Sequence, residues 1–238
     1  MLQDWDEKET FDIGQKHCTV IRQEDAKVLL LQPVDDHDLE FLDHEVQVLS
    51  SMVRDAFLLA AIQVDDWNRD LSPWKAPAVF GSQDFGEGAK ETLRFVQEEM
   101  LPTLLQRYEM EEETPVILGG YSLAAFFSLW SVYQTDRFSG AAAASPSVWF
   151  PGWTDYAENH QPMAGCIYLS LGKKEEKTKN KTMAQVGSCI RTQQAILEEQ
   201  HIKHVLEWNE GNHFTEPDIR CAKGFAWCMD AVRRRAEE

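Results

Sequence analysis

Three observations predict an α/β fold, a mostly parallel sheet covered by helices on both faces. Short apolar runs alternate with longer amphipathic stretches along most of the chain. The run Phe57-Leu58-Leu59-Ala60-Ala61-Ile62 is apolar throughout, as expected of a strand covered on both sides. Finally, Pro115-Val116-Ile117-Leu118 passes through Gly119 and Gly120 directly into the helix-favouring stretch Ser122-Leu123-Ala124-Ala125, a strand, sharp turn and helix in succession. The 238 residues can bury a substantial core, and one domain spanning 1–238 is expected, with 1–16 as a peripheral N-terminal segment.

The elements follow in order. Cys18 to Arg22 and Val28 to Gln32 read as strands around the polar turn Gln23-Glu24-Asp25-Ala26, an opening hairpin. Leu39, Leu42, Val46, Leu49 and Val53 recur at helical spacing. After the strand at 57–62, residues 63–88 form a long irregular segment carrying Trp67, Trp74, Phe80 and Phe85 among prolines and glycines. Such a loop walls a pocket, or closes onto the surface with its own aromatics. Ala89 to Tyr108 is helical, with a kink expected at Pro102. Val116 to Leu118 is a strand, and the helix after the turn runs to about Gln134. Gly140 to Ser145 is a small-residue strand, followed by a second aromatic loop from Ser145 to about Ala164. Ile167 to Leu171 is a strand, Lys173 to Lys181 a charged loop and Thr182 to Gln200 a helix. His204 to Trp208 is the last strand, and Pro217 opens the final helix, to Arg235.

Lys and Arg total 23 against 40 Asp and Glu, a net charge of -17. That field opposes polyanions, so neither nucleic acid nor an anionic membrane surface is an expected partner. Five separated cysteines, Cys18, Cys166, Cys189, Cys221 and Cys228, show no metal-ligand spacing and suggest reduced thiols. With the acidic start Met1-Leu2-Gln3-Asp4-Trp5-Asp6, unlike a signal peptide, they point to a cytoplasmic protein. No apolar run approaches the roughly 18 residues of a membrane span. No metal or cofactor is expected.

In a parallel sheet functional loops gather at the carboxyl ends of the strands. Ser122 follows one strand, Glu175 and Glu176 follow the strand ending at Gly172, and His213 follows the last strand. Serine, acid, histidine is the chain order of a hydrolase triad. A serine hydroxyl needs an imidazole to take its proton, and the imidazole needs a carboxylate to fix its tautomer. The turn reads G-x-S-x-A, and the alternative role for Ser122 is the N-cap of the helix. Gly211-Asn212 beside His213 permits a tight loop aiming the ring into a cleft. His37 lies in a loop, His17, His44 and His160 lack a strand-end setting, and His201 and His204 flank the last strand. Lys173-Lys174-Glu175-Glu176-Lys177 reads equally as a solvated charge run. Its position three residues past Gly172 favours Glu175 as the acid, with Glu176 next. An oxyanion needs two N–H donors: the backbone of Leu123, and one from the loop after Val28 to Gln32, with Val34 favoured and Asp35 next because Pro33 has no N–H.

Taken together these residues resemble the α/β-hydrolase esterases of the esterase D, enterochelin-esterase and mycolyltransferase group, from about Val28 to His213. Gly119-Gly120-Tyr121-Ser122-Leu123-Ala124 is similar to that group's G-[HY]-S-L-[GA] elbow. Asp66-Trp67-Asn68-Arg69-Asp70-Leu71-Ser72-Pro73 resembles its N-R-x-x-D-x-[ST]-P loop, and Ser145-Pro146-Ser147-Val148-Trp149-Phe150 its S-P-S-[LF]-W-W segment. Leu171-Gly172-Lys173-Lys174-Glu175 and Gly211-Asn212-His213 resemble its acid and histidine loops. Ala124 stands where the group usually has glycine, and some members rely on a Ser-His dyad. The resemblance implies an α/β-hydrolase fold without a large cap domain. It gives Ser122, Glu175 and His213 the roles of nucleophile, acid and base, with Val34 matching the first oxyanion donor. Trp67, Asn68 and Trp149 are the candidate pocket residues, and Trp67, Trp74, Trp149 and Trp153 suggest an apolar or aromatic-accommodating pocket. The expected function is a serine carboxylesterase that forms an acyl-enzyme on a small ester of aryl, feruloyl or catecholate type. Acyl transfer or peptidase action on the same triad is the rival chemistry, and a noncatalytic binding protein of the same fold the rival class. Oligomeric state is left open.

Overall fold

In the computed structural model, which describes residues 7–237, eight strands form a single sheet. They are β1 (Glu7–Ile13), β2 (Lys16–Arg22), β3 (Val28–Val34), β4 (Phe57–Gln63), β5 (Val116–Tyr121), β6 (Gly140–Ala144), β7 (Cys166–Gly172) and β8 (Lys203–Asn209). Their spatial order is β1-β2-β4-β3-β5-β6-β7-β8. The β1/β2 and β2/β4 pairs are antiparallel and every other pair is parallel. This is the α/β-hydrolase arrangement, and among the described residues no large cap domain is inserted.

Side chains alternate across a strand, and the central strands use both faces. Leu29 and Leu31 of β3 join Leu58 and Ala60 of β4 in one core, while Val28 and Leu30 join Phe57 and Leu59 in the other. Helices α1 (Asp36–Met52) and α8 (Pro217–Glu237) cover the second face. The first face is covered by α3 (Ala89–Phe95), α4 (Leu101–Arg107), α5 (Ser122–Ser131), α6 (Trp153–Glu158) and α7 (Val186–Glu199), with α2 (Trp67–Asp70) a single turn in the loop after β4. An Asp35 and Asp38 capping box starts α1, and Leu42, Val46 and Leu49 form its buried stripe.

Four expectations are corrected. The strands at 18–22 and 28–32 are not a hairpin, because β2 pairs with β1 and β4 while β3 lies between β4 and β5. All seven residues of β3 are buried and fit the middle of the sheet, whereas the ends of β2 reach the surface. Of the segment expected to be peripheral, residues 7–13 form the sheet's edge strand and Lys16 opens β2; residues 1–6 lie outside the described residues. The charges along β1 hide it from a β pattern but suit an exposed edge, where Glu9 pairs with Arg107. Instead of a simple kink, Pro102 is preceded by the π turn Val96–Met100, in which the Leu101 N–H reaches the Val96 carbonyl. Proline has no N–H to close the regular turn onto residue 98, and the extra residue absorbs the mismatch. Within the second aromatic loop, 153–158 is helical.

All five cysteines are free thiols. No described helix is long and apolar enough to cross a membrane.

One buried group makes the fold sensitive to pH. Glu45 of α1 is 3% exposed and accepts from Gln32 Nε2 at 3.2 Å, while its second oxygen and Gln32 Oε1 have no partner. Burial pushes its carboxyl well above the ordinary range, the Gln32 bond opposes, and the charges of Asp38 and Asp218 add to the rise. The folded state therefore keeps a proton that the unfolded chain releases above pH about 4.3. Stability from this group is full below that pH and is lost as pH rises towards the folded value. Glu45→Gln is expected to be more stable than the parent at pH 8, by roughly 1–3 kcal/mol, with the gap closing by pH 4. Urea unfolding at the two pH values measures it, and a pH-independent gap would count against a buried neutral carboxyl.

Candidate active site

The turn from β5 into α5 has no connecting loop. Tyr121 is the extended residue before the helix, and Ser122 begins it at φ 57. A positive φ is strained for serine, and such strain persists only where its surroundings enforce it. Gly120 takes φ 150, and a Cβ there would sit 2.8 Å from that of Ala124. A glycine at 120 and a small residue at 124 therefore let the helix close on the strand, and alanine is small enough. The capping alternative for Ser122 does not occur, because Tyr121 holds the N-cap position without a side-chain bond. The Ser122 hydroxyl is left pointing out of the turn towards His213.

Ser122 Oγ lies 3.0 Å from His213 Nε2, and His213 Nδ1 lies 2.8 Å from Glu175 Oε2. Ser147 Oγ is 3.4 Å from Ser122 Oγ, and the Ser147 N–H donates to the Ser122 carbonyl at 3.1 Å. One tight turn and two loops, each at the carboxyl end of a parallel strand, thus bring Ser122, His213 and Glu175 into one hydrogen-bonded line. Exposure falls along it, from 26% for the His213 side chain to 4% for that of Glu175. Glu176 is not part of the line and pairs with Arg191 at 3.1 Å.

The charged run containing Glu175 is only partly solvated. A 3-10 turn at Glu175–Lys177 folds Glu175 inward, where its Oε1 accepts from the Gly172 N–H at 2.7 Å and the Ser145 hydroxyl at 2.8 Å. A Cβ on Gly172 would come within 2.8 Å of the Gly211 carbonyl and 2.9 Å of Glu175 Oε1, so glycine lets the acid and histidine loops meet. Burial pushes the Glu175 carboxyl up, but the His213 bond and charge, the Gly172 N–H and the Ser145 hydroxyl outweigh it and hold it below the ordinary range. Glu175 is therefore anionic at neutral pH. An anion beside Nδ1 keeps the proton on that nitrogen, leaving Nε2 to accept from the Ser122 hydroxyl.

Sequence reasoning missed the cation beneath this line. Arg220 is 2% exposed, and its Nη1 faces Glu175 Oε1 at 2.9 Å, Tyr121 Oη at 2.9 Å and Ser145 Oγ at 3.0 Å. With two hydrogens on that nitrogen, the three acceptors share them. Its Nη2 donates to the carbonyls of Glu210 at 2.9 Å and Asn212 at 3.0 Å, tying down the loop that carries His213. The Tyr121 hydroxyl donates to the His213 carbonyl at 2.8 Å. A signal for Arg220 existed: it shares the buried stripe of α8 with Gly224, Phe225 and Cys228, and an arginine in an apolar stripe needs a buried partner.

Of the other candidates, Leu123 is the first residue after Ser122 and is buried at the start of α5. Val34 ends β3 and is fully buried. Past their last paired residues, Leu31 and Leu118, β3 and β5 each run on three residues, to Val34 and Tyr121, at the same edge of the sheet. The two aromatic loops close onto each other. Trp74 Nε1 donates to the Pro151 carbonyl at 2.8 Å, Phe85 lies 6.0 Å from Trp149 and 5.1 Å from Phe150, and Phe150 stacks 5.0 Å from Phe126 of α5. Trp153 belongs to the core, fully buried and bonded to Gln193 at 2.8 Å. Asn68 is buried and fastens its loop by donating to the Gln83 carbonyl at 3.1 Å, and Trp67 packs against the core. Among the described residues no group of three or more His, Cys, Asp or Glu side chains is placed to hold a metal.

A family model described as "Putative esterase" matches residues 46–215. The chain is similar to an IroE-like serine hydrolase from Shewanella oneidensis, with a TM-score of 0.74 and 14% identity over 93% of this chain and 79% of that one. It is similar to the siderophore hydrolase EstA from Aspergillus nidulans, with a TM-score of 0.73 and 17% identity over 96% and 94% of the two chains. It is also similar to the enterobactin esterase FES from Shigella flexneri, with a TM-score of 0.67 and 10% identity over 95% of this chain and 59% of that one. Among curated proteins no sequence matches.

Proposed function

Since the chain belongs to the esterase family, it is an ester hydrolase, and we propose that it acts through an acyl-enzyme formed on Ser122. In this reading Ser122 Oγ attacks the ester carbonyl carbon while His213 Nε2 takes the hydroxyl proton. The N–H groups of Leu123 and Val34 receive the oxyanion, which needs fixed donors in a site that excludes water. His213 then returns the proton to the departing alcohol. Water, deprotonated by the same nitrogen, releases the acid and restores Ser122. Glu175 keeps the imidazole in the required tautomer and offsets its positive charge. The observation that carries the reading is the unbroken line from Ser122 Oγ through His213 to Glu175, at 3.0 and 2.8 Å, on a strained turn at the end of a central strand.

The substrate is a small ester of aryl, feruloyl or catecholate type. The likeness to proteins described as siderophore hydrolases and enterobactin esterases supports this class. The five free thiols suit the reducing conditions of the cytoplasm. An alkyl fluorophosphonate, which bonds to an activated serine, tests the mechanism. Intact-mass analysis should show one adduct per chain, mapped to Ser122 and absent from Ser122→Ala. An unlabelled parent protein would sink the acyl-enzyme proposal. Adding a competing alcohol during ester turnover then separates hydrolysis, which yields free acid, from acyl transfer, which yields a new ester.

A further inference from the structure

Phe214, next to His213 in the chain, is 86% exposed, whereas the other large exposed apolar residues among those described, Phe41, Met52, Phe80 and Met163, lie between 40% and 49%. A single exposed phenylalanine is ordinary on a protein surface. This one is distinguished by its place and by how firmly its backbone is held. Its N–H donates to Asn212 Oδ1 at 2.9 Å, the Asn212 N–H donates to Thr215 Oγ1 at 3.1 Å, and Arg220 holds the Asn212 carbonyl. The ring meets the His213 imidazole edge-on, with centroids 5.6 Å apart and planes at 83°. On the inner side the imidazole faces Tyr121, with centroids 5.1 Å apart. His213 thus lies between a buried ring and an open one.

Proton delivery determines which part of a substrate would meet that open ring. When the tetrahedral intermediate collapses, the bond between the carbonyl carbon and the alcohol oxygen breaks, and the proton held by Nε2 passes to that oxygen. The alcohol oxygen must then be within hydrogen-bond reach of Nε2 while the carbonyl carbon is bonded to Ser122 Oγ. The alcohol group leaves alongside the imidazole, and Phe214 borders the imidazole on the solvent side. We propose that Phe214 is a specificity-determining residue for the alcohol portion of the ester, providing an aromatic face on which an apolar or aryl alcohol packs before it departs. This rests on the acyl-enzyme reading above and deepens it.

The alcohol has gone once the acyl-enzyme forms, so Phe214 bears on acylation and not on deacylation. The test uses two esters of one acid, 2-naphthyl butyrate and methyl butyrate, with the parent protein, Phe214→Ala and Phe214→Tyr. An exposed ring is removed, so the variants are expected to fold. Phe214→Ala should lower kcat/KM for the naphthyl ester on the order of tenfold, leave the methyl ester unchanged, and leave the rate of breakdown of the shared butyryl-enzyme unchanged. Phe214→Tyr, which keeps the ring, should restore the naphthyl rate. An equal loss on both esters, slower breakdown of the butyryl-enzyme, or no loss at all would overturn the assignment of Phe214 alone. A parent protein that forms no butyryl-enzyme from either ester overturns the acyl-enzyme reading and this assignment together.

Discussion

Ser122→Ala is expected to lower turnover of an activated aryl ester on the order of a millionfold with the fold unchanged. The size follows from how the three groups act. Without the hydroxyl, His213 has no proton to take and no acyl-enzyme can form, so only bound-water attack near the oxyanion donors remains. The unchanged fold follows from what the hydroxyl touches. Its contacts are His213 Nε2 at 3.0 Å and Ser147 Oγ at 3.4 Å, and the helix start does not use it as a cap. Alanine carries the same backbone strain at φ 57 as serine, and the strained turn is held by Gly120, Ala124 and the Ser147 N–H. Adding His213→Ala to Ser122→Ala should cost little more, because groups that act as a unit are not additive. Steady-state rates and far-UV circular dichroism of the single and double variants measure both points. Near-parental turnover by Ser122→Ala would remove Ser122 from the nucleophile's role.

What could be read from the sequence follows the physics of each element. Central strands such as β4 are uninterrupted apolar runs because both faces are covered, and that signal is local. Edge strand β1 is charged because its edge faces water, so its strand character comes from pairing with β2, a partner that no local pattern identifies. Hairpin pairing failed for the same reason: adjacency in sequence suggested β2 with β3, while burial sends β3 to the middle of the sheet. At the site, Ser122, Glu175 and His213 could be proposed from their positions after strands, and the structure brings those three side chains together. Arg220 escaped because its five partners come from four other segments, and only its place on the buried face of α8 hints at them. The aromatic loops allowed two readings by composition, a pocket wall and a self-closing surface. The packing of Phe85 against Trp149 and Phe150 shows them locked to each other, with Phe150 reaching α5.

Glu175→Gln is expected to lower kcat on the order of ten-thousandfold, and Glu176→Gln to leave it within about twofold, since an exposed pair such as Glu176 with Arg191 is worth roughly 0–1 kcal/mol. An amide at 175 can turn its NH2 towards His213 Nδ1, which would draw the imidazole proton to Nε2 and leave no acceptor for the Ser122 hydroxyl. The same change deprives Arg220 of its anion. At 2% exposure its guanidinium would keep only neutral partners, and breaking a buried pair in this way costs about 3–5 kcal/mol. The pH dependence separates this from a general loss of packing. Glu175 is held below the ordinary carboxylate range in the folded protein, so the unfolded chain takes up its proton first as pH falls. Its contribution to stability is complete above the unfolded value of about 4.3 and disappears as pH falls through the folded value. The stability gap between parent and Glu175→Gln should therefore be widest near pH 7 and shrink below pH 4, while Glu176→Gln tracks the parent throughout. Thermal unfolding of the three proteins from pH 3 to 8, with kcat at pH 7, measures both effects. Equal tolerance of the two substitutions would reject Glu175 as the acid and would leave the Arg220 cluster a structural ion pair at the base of a Ser-His dyad.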